Sequence, residues 1–182
     1  MDYNIVPIIM TENRRLEYDI AYMNMASCLK DLSFATRSKV GCIIVSSDDQ
    51  IIAQGYNGMP KGFPNECEHL DENGNLVTND EVLHAESNAI AKCAKCSEGK
   101  CKGATAYVSL SPCLQCSKLI IQSGIKRVVF REEYRDVTPL IFLLKGGIEV
   151  QMLDTLHKKL IEYTFDKEVG TLYKDYYAYL TV

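Results

Sequence analysis

Three absences bound what this 182-residue sequence can be. It contains no run of 18 apolar residues, so no segment is long enough to span a bilayer as a helix. It opens Met1-Asp2-Tyr3-Asn4, with no basic region leading into an apolar stretch and a small-residue cleavage site. No secretory signal is read from this, and the cytosol is the expected compartment, or the host cytoplasm for a viral source. Basic charge is not in excess either. The formal net charge is −4, which argues against a chain-wide basic surface for gripping nucleic acid. Internal repeats and low-complexity segments are also lacking.

What is present fits one globular unit. The 47% hydrophobic and 24% charged composition is ordinary for a chain that buries a single core, and the length is too short for two ordinary domains. Eight cysteines would suit a secreted disulfide framework. Without a signal, and with two of them in ligand spacing, metal binding plus free thiols is the expected use.

Periodicity sets the expected elements. Leu16, Ile20, Met23 and Ser27 share one face of a helix over Arg14 to Lys30, with Ala26 and Leu29 beside it. Val40 to Ser46 and Ile51-Ile52-Ala53 predict a hairpin around a polar turn, ending at Gly55-Tyr56-Asn57-Gly58. Residues 59–80 form a Gly-, Pro-, Asn- and Asp-rich stretch, too long for a plain connector. Asn79-Asp80 are placed to cap a helix from Glu81 to about Lys95. A strand over Thr105 to Leu110 is followed by a helix with Ser111 as cap and Pro112 at its first position, closed by Gly124. A strand at Arg127 to Phe130, a helix at Leu140 to Lys145 and a strand at Ile148 to Met152 complete an α/β layer pattern with parallel pairs. Residues 1–153 are expected as one domain. Residues 154–182 are expected as an extension holding a short helix and a tyrosine-rich end (Tyr173, Tyr176, Tyr177, Tyr179). Those tyrosines suit a subunit contact or a cover for a sheet edge.

The chemistry concentrates in two segments: His84-Ala85-Glu86, and Pro112-Cys113-Leu114-Gln115-Cys116. One imidazole and two thiols can hold a zinc ion by three ligands and leave the fourth position for water. Cys113 and Cys116, three apart at a helix start, point the same way, and the positive end of the helix favours their thiolates. Glu86 is placed to move protons at the water rather than to bind the metal. This H-x-E…P-C-x-x-C arrangement is the signature of zinc-dependent nucleobase deaminases. The alternatives are a closed structural zinc site or a redox Cys-x-x-Cys pair, and both leave Glu86 without a role.

Longer stretches resemble the deoxycytidylate (dCMP) deaminases of the cytidine deaminase superfamily, including those of bacteria and phages. The likeness rests on Lys39-Val40-Gly41-Cys42-Ile43-Ile44-Val45, Gly55-Tyr56-Asn57-Gly58-Met59-Pro60, Val82-Leu83-His84-Ala85-Glu86-Ser87-Asn88-Ala89-Ile90, and Tyr107 to Cys116. It continues through Ser117 to Val129 and covers roughly residues 14 to 153. The resemblance implies a three-layer α/β fold with a five-stranded mixed sheet flanked by helices, assembled as a homo-oligomer, usually a hexamer. It implies conversion of dCMP to dUMP for thymidylate synthesis, with one catalytic zinc per chain. Activation by dCTP and inhibition by dTTP, with Mg²⁺ accompanying the triphosphate, are typical of the family. By position, Asn57 and the Ala85 amide are expected at the substrate, and Ser38 and Lys39 at its phosphate. Lys39 reads equally as a solvated lysine. Tyr134 is expected to wall the base pocket or to pack as an ordinary loop tyrosine. Gly55, Tyr56 and Gly58 are implied as part of an effector site.

Weaker signals remain. Cys67, His69, Cys93, Cys96 and Cys101 offer a second, structural zinc site, against the plainer reading of free cysteines near a helix end. Cys28 and Cys42 are expected as small core residues, and His157 as a solvated helix residue. Deamination of dCTP, or of both nucleotides, is the alternative substrate assignment. A nucleic-acid deaminase and a non-catalytic zinc-stabilised module are the readings from other classes.

Overall fold

The structure, a computed structural model, describes residues 12–95 and 101–178. Helix α1 (Glu12–Leu29) leads into strands β1 (Gly41–Val45) and β2 (Ile51–Tyr56). The long polar stretch that follows carries its own small hairpin, β3 (Glu68–Leu70) and β4 (Leu76–Thr78). Its turn is tied by Asp71, whose Oδ1 accepts from the amides of Asn73 and Asn75. Then come α2 (Ala85–Lys95), β5 (Thr105–Leu110), α3 (Leu114–Gln122), β6 (Arg127–Glu132), α4 (Thr138–Lys145), β7 (Glu149–Asp154), β8 (Lys159–Asp166) and β9 (Thr171–Ala178). Among the described residues, no helix is long and apolar enough to cross a membrane.

The main sheet has the order β2-β1-β5-β6-β7-β8-β9. It is mixed: β5, β6 and β7 run parallel, and the other neighbours pair antiparallel. Among the described residues the sheet therefore has seven strands, not the expected five. The difference lies in residues 159–178, expected as a short helix and tail, which instead form a hairpin added to the β7 edge. The turns explain it. Asp154 Oδ1 accepts from the amides of Leu156 and His157, and Asp166 Oδ1 from those of Glu168 and Val169. An acidic residue that satisfies the next amides is a turn signal, and the Tyr/Thr-rich runs between these turns suit a pleated strand. His157 lies in the first of these turns, with its ring on Asp154, rather than on a helix.

Alternate residues of each strand face opposite layers. On one side Cys42, Ile44, Ala106, Val108, Val128, Phe130 and Val150 pack under α2, α3 and α4. On the other, Ile43, Val45, Tyr107, Val129 and Leu153 meet Leu16, Tyr22, Met23 and Ala26 of α1. Cys42 is buried as expected, whereas Cys28 is exposed. The α1 face also buries something periodicity did not find. Asp19 lies fully inside and receives both Arg127 amino groups at 2.6 and 2.8 Å, with the Tyr107 hydroxyl donating to it at 2.6 Å. Burial opposes the Arg127 charge, and Asp19 outweighs that effect and raises the Arg127 pKa. The network ties α1 to β5 and β6 at one register.

Helices α1 and α4 each start two residues before the expected position, and α2 and α3 differ from expectation in their caps. Helix α2 begins at Ala85, four residues late, because Leu83 is drawn into a backbone bridge with Gly58, at 3.0 Å in both directions. Asn79 caps nothing there; its amide donates to the Glu66 carbonyl and its oxygen meets His69 Nδ1. Helix α3 starts at Leu114 with Cys113 as its N-cap residue, and the Ser111 hydroxyl accepts from the Tyr134 amide instead.

Replacing Asp19 with Ala takes from the buried Arg127 guanidinium its fully buried carboxylate partner and leaves it Gln151 and the half-exposed Glu149. The expected loss is about 3–5 kcal/mol of unfolding free energy in urea. A loss under about 1 kcal/mol would mean that the network contributes little to holding α1 on the sheet.

Candidate active site

Both segments singled out by the sequence end up at helix starts on the same side of the sheet. His84 immediately precedes α2, and Cys113 and Cys116 occupy the first turn of α3. What lets α2 come this close is Gly55 in β2. A Cβ placed there would lie 2.2 Å from the Ala85 carbonyl oxygen and 2.7 Å from the Ala89 nitrogen. No side chain fits, so glycine is required for the helix to seat on the strand.

Cys113 Sγ stands 3.4 Å and Cys116 Sγ 3.5 Å from His84 Nδ1. All three ligand atoms lie within 4.8 Å of one another, and this is the one such group of three or more His, Cys, Asp or Glu among the described residues. Nitrogen at about 2.0–2.1 Å and sulfur at about 2.3 Å from a tetrahedral zinc stand about 3.5 Å apart, so the donor set fits the ion. The electrostatics agree. The Cys113 thiol is pushed down to about 3, first by the hydrogen bond from Cys116 and then by His84. Cys116 is correspondingly raised, because it keeps the proton that the pair shares. A divalent cation between them favours both as thiolates.

Glu86 is buried at the inner end of the same cleft, 4% exposed, and is not one of the three clustered ligands. Burial pushes its carboxyl up, against the pull of the nearby His84. A buried carboxyl that can hold or release a proton beside a metal position is suited to general acid–base work.

The cleft has a volume of about 350 Å³. Its lining includes His84, Ala85, Glu86 and Cys113, and also Asn57, Ser38 and Tyr134. Asn57 is spoken for at both ends of its amide: Oδ1 accepts from the Val40 amide and Nδ2 donates to the Ser38 carbonyl, each at 2.8 Å. It thus holds the lead into β1 against the cleft. Lys39 is exposed and lies outside the lining, whereas its neighbour Arg37, which the sequence reading did not name, lies within it. Arg37 is fixed by the inserted hairpin. Its guanidinium donates to Thr78 Oγ1 at 3.0 Å, and Glu68 Oε1 accepts from the Thr36 and Arg37 amides. Glu68 and Thr78 also line the cleft. Only the fold of residues 59–80 brings them there.

The remaining residues lie apart from it. Tyr56 packs its ring 5.3 Å from Lys92 Nζ, and its carbonyl accepts from the Asn88 amide group. Gly58 holds the bridge to Leu83. Cys67 is buried with Ala35 and Val82 in a small separate cluster, His69 meets Asn79, and Cys93 and Cys101 belong to the main core. Cys96 and Tyr179 lie outside the described residues.

Comparison with known proteins places this geometry. The family model for the cytidine and deoxycytidylate deaminase zinc-binding region matches residues 16–132. Human deoxycytidylate deaminase is 38% identical over 125 residues, covering 66% of this chain and 68% of the human one. Deoxycytidylate deaminase of Mycobacterium phage D29 is 33% identical over 129 residues, covering 65% of this chain and 98% of the phage enzyme. Among solved structures, dCMP deaminase from cyanophage S-TIM5, in complex with dCMP and dUMP, aligns with a TM-score of 0.69 at 43% identity. That match covers 75% of this chain and 97% of the cyanophage chain.

If the three ligands hold zinc, Cys116→Ala is expected to cost at least about tenfold in zinc affinity, read by competition with a chromogenic chelator. Cys93→Ala is expected to leave zinc content at one ion per chain, as measured by mass spectrometry of the intact protein.

Proposed function

The chain belongs to the cytidine and deoxycytidylate deaminase family, and on that footing we propose that it hydrolyses dCMP to dUMP and ammonia. The observation that carries this reading is the buried Glu86 beside His84, Cys113 and Cys116 in one cleft. The four residues supply what a water-dependent replacement of an amino group needs: a metal position and a proton carrier.

When bound, zinc supplies Lewis-acid activation that brings the pKa of water from about 15.7 to about 7. Glu86 accepts a proton from the attacking water and delivers it to N3 of the cytosine ring. As the carbon–nitrogen bond at C4 breaks, Glu86 takes the proton of the new C4 hydroxyl and passes it to the departing amine, which leaves as ammonia, and that oxygen remains as the uracil carbonyl. Burial favours this shuttle because the carboxyl holds its proton more readily than one in water. The Ala85 amide, at the start of α2, is the proposed contact for the base carbonyl, and Tyr134 the proposed wall against the ring. Asn57 acts by holding Ser38 and Val40 in place.

Arg37 favours a 5′-phosphate at the outer end of the cleft, with Ser38 beside it. Glu68 favours only one. Its carboxylate stands against the Arg37 amide and lines the same cleft, so further phosphates would bring like charges together. That is why dCMP is preferred here over dCTP. Regulation by dCTP and dTTP with Mg²⁺ belongs to the same proposal. Lys92, held over Tyr56 beside the Gly55–Gly58 loop, gives that region a cation for a polyphosphate.

Uracil formation is followed by ultraviolet absorbance with dCMP and dCTP as substrates. The value of kcat/KM for dCMP is expected to exceed that for dCTP by at least about 100-fold, since like charges forced together cost several kcal/mol. Comparable values would move the assignment to a dual-specificity enzyme. Glu86→Ala is expected to lower kcat by about 10³-fold while zinc stays bound. Rate curves against dCMP that do not change with dCTP–Mg²⁺ or dTTP–Mg²⁺ would remove the regulatory part.

A further inference from the structure

Tyr134 walls the cleft, yet 43% of it is exposed, so core packing does not fix its ring. Its position is set by what holds its neighbours. On one side its own amide donates to Ser111 Oγ at 2.8 Å, and Ser111 is itself buried at the end of β5. On the other side stands Glu133, and here the hold comes from the end of the chain. The Tyr163 hydroxyl, on β8, donates to Glu133 Oε2. Lys174 Nζ, on β9, reaches the same carboxylate at 2.8 Å and lies 5.3 Å over the Tyr163 ring. Tyr163 is 1% exposed and packs against Phe130 of β6 at 5.5 Å between ring centres, so the donor is rigidly placed.

From this arrangement we propose that the β8–β9 hairpin is a positioning device for substrate binding: Tyr163 and Lys174 grip Glu133 and so fix Tyr134 at the cleft. The family model ends its match at residue 132, so Glu133 and both residues that grip it lie beyond the matched region. A charge-assisted hydrogen bond shared by two donors is strong enough to order a short loop. Two further features agree. Lys174 and Tyr163 hold the Glu133 carboxyl below its ordinary range even though burial works the other way. The Arg135 guanidinium, one residue past Tyr134, lies 5.5 Å over the tyrosine ring and steadies it from outside. Glu133, Tyr163 and Lys174 are positioning residues, since none of them lines the cleft.

This inference rests on the proposed deamination of dCMP for its kinetic arm but not for its structural one. Lys174→Met and Tyr163→Phe are compared with the unaltered protein in two measurements. In steady-state kinetics with dCMP, KM is expected to rise by about three- to tenfold with kcat changed less than about twofold, the pattern of lost binding rather than lost chemistry. Lys174→Arg is expected to restore KM. In a Tyr134→Ala background, Lys174→Met is expected to add nothing further, because the path runs through Tyr134. In hydrogen–deuterium exchange, amides of residues 133–136 are expected to exchange faster in Lys174→Met than in the unaltered protein. Unchanged KM together with unchanged exchange in both variants would overturn the proposal. So would a full Lys174→Met effect in the Tyr134→Ala background. If the unaltered protein does not turn over dCMP, the substrate assignment fails, and the exchange comparison alone decides whether the hairpin holds the loop.

Discussion

Two helix starts meet at one point in this molecule, and the site depends on how closely the sheet lets them approach. The positive ends of α2 and α3 face the same small volume, where thiolates and a negatively charged reacting group belong. The approach is made possible by one missing side chain. With the Ala85 carbonyl 2.2 Å from where a Cβ of Gly55 would sit, any other residue there would push α2 outward and carry His84 with it. A displacement of 1 Å would break the roughly 3.5 Å spacing that a tetrahedral ion requires. Gly55, implied by resemblance as part of an effector loop, therefore has a demonstrated packing role at the site.

Around that point the structure separates two environments. The inner end of the cleft is buried and holds Glu86, whose proton affinity is raised by loss of water. The outer end is exposed and holds Arg37, which is held by Thr78 and Glu68 of the inserted hairpin. A buried carboxyl at one end and an exposed guanidinium at the other suit the proposed mononucleotide, with its base inside and its phosphate outside. On the far side of the sheet, the Asp19–Arg127–Tyr107 network fixes α1 and the strands that carry the site, without entering it.

The candidate metal site and Glu86 were legible in the sequence because each pair is local: one residue separates His84 from Glu86 and two separate Cys113 from Cys116. Most helices and strands were legible too, through the 3.6- and 2-residue periods of their apolar residues. What escaped were features made by distant contacts. Leu83 would continue a helix by propensity, but Gly58 draws it into a bridge. Ser111 has the makings of a helix cap, but its hydroxyl is taken by Tyr134, 23 residues on. Arg37 stands two residues before Lys39, and only the folded insert shows which of the two lines the cleft. Asp19 interrupts an apolar face, and its partner lies 108 residues away. The closing hairpin was missed because its strands carry few aliphatic residues, and its turns depend on Asp154 and Asp166 side chains.

Everything proposed for the cleft requires that His84, Cys113 and Cys116, and no further protein residue, hold one zinc ion with a position left open for water. X-ray absorption at the zinc edge of the intact protein measures this directly. The expected first shell is two sulfur neighbours at about 2.3 Å and two light-atom neighbours, one imidazole nitrogen and one exchangeable oxygen, at about 2.0–2.1 Å. A first shell of three or four sulfurs would contradict it: the ion would then be closed off by another cysteine, and the cleft would have no metal-activated water to offer a substrate.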